Sequence, residues 1–128
     1  MIILDTHSWI WYVTESSKLS MKAVYAIKEA EICGVSAISC WEIAMLVEKG
    51  RIALTLPIEK WIKLALNYEK IDLVPLTPEI SIKSVKKDLI NHNDPADRII
   101  AATSIITNSP LITKDEKLRS NLLLNTIW

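Results

Sequence analysis

Short apolar runs alternate with longer stretches of helical periodicity along this chain, and that alternation restricts its fold more than any other feature. Strands are expected at "MIIL" (1–4), "ICGVS" (32–36), "IDLVPL" (71–76), "PLIT" (110–113) and "LLLNTIW" (122–128). Helices are expected at "THSWIWYVTE" (6–15), "SMKAVYAIKEA" (20–30) and "AISCWEIAMLVEKG" (37–50), the last stopping at a glycine suited to a C-cap. Further helices are expected at "LPIEKWIKLALNYE" (56–69), "TPEISIKSVKKD" (77–88) and "DPADRIIAATSIITN" (94–108), all with proline at or near the first turn. Strands that alternate with helices are joined by right-handed crossovers into a mostly parallel sheet. The expected class is therefore α/β, a three-layer α/β/α fold with a mostly parallel central sheet flanked by helices. In such sheets a ligand sits beyond the carboxyl ends of the strands, where the strand order reverses. Asp5 follows the first run, and Lys114 and Asp115 follow the fourth.

The 128 residues are expected to form a single domain over 1–128 that is large enough to bury one core. Basic and acidic residues balance at 15 each, so no global cationic field is available to hold a polyanion. Nucleic acid would need a local patch or a metal. Cys33 and Cys40 form no CxxC and no companion pair, which argues against a zinc cage or a disulfide framework and for a reduced, cytosolic setting. The first segment, "MIILDTHSWIWYV", has no basic leader and no small-residue cleavage site, so no signal peptide is expected. No run approaches the roughly 18 apolar residues that span a bilayer. A soluble, cytoplasmic protein with no membrane association is expected.

The acidic residues carry two readings. In a helix over 37–49, Glu42 has Ile38, Met45 and Leu46 as its neighbours at minus four, plus three and plus four, which puts its carboxylate on the buried stripe. Such a group protonates or recruits a cation unless it finds a partner. The plainer reading is a glutamate at the rim with its head in water. Asp94, Pro95 and Asp97 suit the N-cap, N1 and N3 positions of a helix, so capping alone explains both aspartates. Asp115 suits the start of a short helix or turn, and Asp5 the cap of the helix that follows it. As a set, however, Asp5, Glu42, Asp97 and Asp115 fall near one end of the sheet, where their repulsion is destabilising without a cation. Hard oxygen donors suit Mg²⁺ or Mn²⁺, and such a site performs phosphoryl chemistry.

Four segments together carry a family resemblance: "ILDTHSWIW" (3–11), "VSAISCWEIAMLVEKGRI" (35–52), "HNDPADRIIAATSII" (92–106) and "PLITKDEKL" (110–118). In order and spacing the chain resembles PIN-domain ribonucleases, and within them the VapC toxins of toxin–antitoxin pairs. The resemblance implies a metal-dependent endoribonuclease whose catalytic acids are Asp5, Glu42, Asp97 and Asp115. It implies Mg²⁺ or Mn²⁺ held by Asp5, Asp97 and Asp115, with Glu42 completing the shell or orienting water. Asp94 is expected to cap the helix or stand outside the metal shell. Thr6 and Thr113 flank the site, either holding carboxylates or serving as ordinary turn hydroxyls. Arg98 is expected to contact RNA or to pair with an acid. The implied partners are an RNA substrate, a VapB-like antitoxin and a second copy in a homodimer.

His92 reads as a loop histidine within reach of a substrate phosphate. Lys83, Lys86 and Lys87 are expected on one helix face, as a solvated run or a local patch for RNA. Trp9, Trp11, Trp41 and Trp61 read as core or interface anchors that could alternatively stack on bases. The first rival is a non-catalytic PIN-fold module that binds RNA or protein. The second is a receiver-like phosphoacceptor domain, which needs an aspartate after the third strand, where "VPLTPE" has none.

Overall fold

In the computed structural model, which describes residues 1–88 and 90–128, five apolar runs pair into one sheet. The strands are β1 (Ile2–Leu4), β2 (Cys33–Ser36), β3 (Ile71–Val74), β4 (Leu111–Ile112) and β5 (Thr126–Ile127). Every pairing is parallel and the order is β3-β2-β1-β4-β5. Between β1 and β2 lie α1 (Thr6–Val13) and α2 (Met21–Glu29), and between β2 and β3 lie α3 (Ala37–Glu48) and α4 (Ile58–Leu66). Two more helices, α5 (Pro78–Ser84) and α6 (Pro95–Ile106), lead to β4, and α7 (Glu116–Arg119) leads to β5. A parallel sheet needs such crossovers, and they cover both of its faces. The fold is α/β, as the alternation predicts.

Side chains of a strand alternate between faces, and β1 shows what this does to the core. Ile2 and Leu4 pack with Trp9, Ala23, Ile27 and Trp61 from α1, α2 and α4. Ile3, between them, packs on the opposite face with Ile80, Ile100 and Leu118 from α5, α6 and α7. Trp9 and Trp61 meet edge-on with ring centroids 5.8 Å apart, which makes them core anchors. Gly34 lets the strands approach closely, since a Cβ there would lie 2.8 Å from Ile3 Cδ1 and 3.0 Å from Val74 Cγ2. Gly50 adopts φ +67° after α3, with its N–H on Val47 O and the Arg51 N–H on Leu46 O, a Schellman ending. Among the described residues no helix is long and apolar enough to cross a membrane.

Two elements depart furthest from expectation. The helix expected over 77–88 stops at Ser84, so Lys86 and Lys87 lie beyond it and do not continue the face that carries Lys83. Ser81 and Ser84 donate their hydroxyls to Thr77 O and Ser81 O, local bonds that accompany a weak helical segment. The run at 122–128 contributes only Thr126–Ile127 to the sheet. Asn121 Oδ1 accepts the Leu123 N–H in a turn, and Leu122 is fully exposed. Pro75, with no N–H to give a ladder, follows the last residue of β3.

Candidate functional site

β2 and β3 extend the sheet on one side of β1, and β4 and β5 extend it on the other, so the order reverses between β1 and β4. Chains leaving adjacent parallel strands in opposite directions open a crevice at their carboxyl ends. Asp5 stands directly after β1 and Asp115 shortly after β4. Its backbone N–H ties Asp5 to Ile112 O at 3.1 Å, so sheet pairing itself fixes the first acid against the strand that leads to the last.

Three of the acids are helix N-caps. Asp5 Oδ1 accepts the Ser8 N–H at 2.8 Å, Asp94 Oδ1 the Ala96 N–H at 2.9 Å, and Asp115 Oδ1 the Leu118 N–H at 2.9 Å. Asp97 lies in the first turn of α6, and Glu42 enters from α3 with only 7% of its surface exposed. The amino ends of α1, α6 and α7 therefore converge, and their free N–H groups favour negative charge. Each cap uses one carboxylate oxygen and leaves the other for a further contact. The capping and clustering readings of "DPADR" are thus compatible.

The five acids line a cavity of about 490 Å³ together with Thr6, His7, Trp11 and Lys114. Glu42, Asp94 and Asp97 each bring a carboxylate oxygen to within 4.8 Å of the others, an arrangement able to hold a cation. The ring of Trp11 lies between those of His7 and Trp128, with centroids 5.7 and 5.8 Å away. Trp41 is instead 56% exposed and outside this cavity.

Crowding acids in a half-dry cavity raises their proton affinity. Burial pushes the Asp5 carboxyl up, opposed by hydrogen bonds from Thr113 and Ser8. Burial also raises Glu42, opposed by Thr6 and reinforced by the charge of Asp94. Asp97 is pushed up to about 8, first by burial and then by the charges of Asp94, Glu42, Asp115 and Asp5. The cluster is short of positive charge, and a proton or a divalent cation can supply it.

The neighbouring polar groups tie the elements together. Thr6 Oγ1 donates to Ser39 Oγ at 3.0 Å, and Thr113 Oγ1 accepts the Asp115 N–H at 3.1 Å. Arg98 was expected to contact an acid or RNA; its Nη1 donates to the backbone carbonyl of His92 at 3.3 Å. Expected as a loop residue within reach of a substrate phosphate, His92 carries more of the site than its sequence position signals. Its Nε2 lies 3.3 Å from Asp97 Oδ2 and 3.4 Å from Asp115 Oδ2. The available signal was its place two residues before a cap, where a side chain can accept the cap residue's N–H. His7 and Lys114 also line the cavity.

Known proteins share both the sequence and the architecture. The ribonuclease VapC22 of Mycobacterium tuberculosis is 38% identical over 120 residues, covering 94% of this chain and 91% of that protein. Among solved structures, VapBC2 from Rickettsia felis bound to a promoter DNA fragment aligns with TM-score 0.68 at 16% identity, covering 98% of this chain and 97% of that one. A toxin–antitoxin complex from Klebsiella pneumoniae aligns with TM-score 0.66 at 19% identity, covering 95% and 92%. FitAcB from Neisseria gonorrhoeae aligns with TM-score 0.63 at 18% identity, covering 98% and 96%. The PIN domain family model matches residues 2–121. With that match, and a VapC ribonuclease related along nearly its whole length, the chain belongs to the PIN-domain family.

Proposed function

We propose that this chain is a metal-dependent endoribonuclease and the toxin of a VapBC-type pair. The observation that carries the reading is the meeting of Asp5, Glu42, Asp94, Asp97 and Asp115 in one cavity at the strand switch of a PIN fold. Kinship with a ribonuclease VapC supports the same conclusion.

The donor set fits a hard divalent cation. The cavity offers carboxylate and hydroxyl oxygens and no thiol, the preference of Mg²⁺ and Mn²⁺. Asp5, Asp97 and Asp115 would hold it, and it would supply charge neutralisation at the scissile phosphate and a more acidic attacking water. Glu42 orients that water or completes the shell. Thr6 keeps α1 against α3, and Thr113 keeps the start of α7 against the sheet, so the carboxylates hold their spacing. Hydrolysis joins the water oxygen to phosphorus in line with the breaking bond to the ribose oxygen.

The test is cleavage of total cellular RNA by the purified chain in Mg²⁺ or Mn²⁺ and again in EDTA, with Asp97→Asn alongside. Discrete cuts that disappear in EDTA and in the variant are expected. Equal cleavage by both proteins, or full activity in EDTA, overturns the reading. A folded chain that binds metal and RNA but never cuts would instead be a binding module.

The same reading extends to partners and place. Toxin–antitoxin complexes among the structural relatives support a VapB-like antitoxin for this chain. Co-expression with the small protein encoded beside it should give a stable complex that no longer cuts RNA. A homodimer in the cytoplasm completes the proposal, and a monomer at micromolar concentration in light scattering would count against the dimer.

A further inference from the structure

We propose that His92 is a positioning residue that ties Asp97 to Asp115 from behind the cavity, so that their opposite faces meet a divalent cation at a fixed spacing. The inference rests on the acidic cavity being a metal site. It begins with the backbone. A peptide N–H can only donate, and that of Asp94 points at His92 Nδ1 from 3.0 Å, so Nδ1 is an acceptor and the ring's N–H is on Nε2.

That N–H is directed at Asp115 Oδ2, 3.4 Å away, and Asp97 Oδ2 lies 3.3 Å from the same nitrogen. The hydrogen bond goes to Asp115, and the contact with Asp97 is an electrostatic one at the same ring nitrogen. The two carboxylates belong to different elements, one in the first turn of α6 and the other at the cap of α7. Among the described residues no lysine or arginine lies within 4.0 Å of an acid, and His92 is the basic side chain that does.

His92, Asp97 and Asp115 each bring a donor atom to within 4.8 Å of the others and could themselves surround a cation, but the ring would then have to give up its Nε2–H. Its side chain is 9% exposed, and it is not among the residues lining the cavity, although Asp97 and Asp115 are. Ligation through Nε2 would move the proton to Nδ1, where it would face the Asp94 N–H. Arg98 fixes the peptide from the other side by donating to the His92 carbonyl. Outer groups that orient metal ligands in this way typically change metal affinity by about 10-fold to 100-fold when removed.

Two substitutions separate the ring's two contacts. In His92→Asn the amide oxygen falls near the position of Nδ1, keeping an acceptor for the Asp94 N–H but losing the donor. In His92→Gln the amide nitrogen reaches towards the position of Nε2 and restores the donor. Mn²⁺ binding, followed by the paramagnetic resonance of the free ion, is expected to weaken about 10-fold in His92→Asn and to recover in His92→Gln. Nitrogen-15 spectra of the metal-free parent should show Nδ1 of His92 as an acceptor and an N–H on Nε2, a readout that needs no variant to fold. Unchanged or tighter Mn²⁺ binding in His92→Asn, equal losses in both variants, or a proton on Nδ1 overturns the inference. A parent chain that binds no Mn²⁺ overturns the metal-site reading itself and this inference with it.

Discussion

Thr6 donates its hydroxyl to Ser39 Oγ at 3.0 Å, joining the first turn of α1 to α3 one turn before Glu42. Both residues are buried, Thr6 at 1% and Ser39 at 0% exposure. Thr6→Val keeps the shape and removes the donor, leaving the Ser39 hydroxyl without this partner in a dry place. A loss of about 1–3 kcal/mol in urea unfolding is expected, with weaker RNA cleavage because Glu42 rides on the same helix.

Asp115 combines a cap with a charge, and the two can be separated. Asn caps a helix as well as Asp does, so Asp115→Asn should unfold at nearly the wild-type urea concentration while losing RNA cleavage. Asp115→Ala should lose both, at a cost of about 1 kcal/mol in stability. If Asp115→Asn cut RNA at the wild-type rate, the residue would be only a cap.

Asp97→Asn should stabilise the metal-free chain. The substitution removes a carboxyl that burial and the neighbouring acids force either to take up a proton or to add charge to the cavity. Its thermal midpoint in EDTA should therefore exceed that of the wild type. Added Mn²⁺ should raise the midpoint of the wild type more than that of the variant, since only the wild type keeps the full donor set.

The metal-free chain should become less stable as pH rises. The folded pKa of Asp97, about 8, lies above its ordinary value of 3.8, so the folded state holds this proton more tightly than the unfolded state. Stability from that proton is fully present below the ordinary value and is lost as pH rises towards the folded pKa. Thermal midpoints in EDTA should fall between about pH 4 and pH 8 and level off above that, and saturating Mg²⁺ should flatten the slope by favouring the ionised form. A midpoint that rises over this range would contradict the assignment.

The parts of the fold that were legible in the sequence are those decided by neighbours along the chain. Glu42 announced its burial through Ile38, Met45 and Leu46, and Asp94 and Pro95 announced the start of α6. The run "MIIL" was readable because every one of its residues is apolar. His92 was not readable in the same way. Its contact with Asp115 spans 23 positions and exists because β4 pairs with β1, a relation that no local pattern encodes. The last run failed for the reverse reason: three leucines suggest a strand, but the sheet took only the pair beyond them.

The pairing of β1 with β4 also has a meaning in time. Asp5 emerges from the ribosome long before Asp115, and they meet only when Ile3 and Leu4 lie beside Leu111 and Ile112. At every earlier length the growing polypeptide carries an incomplete set of acids with no wall to close them in.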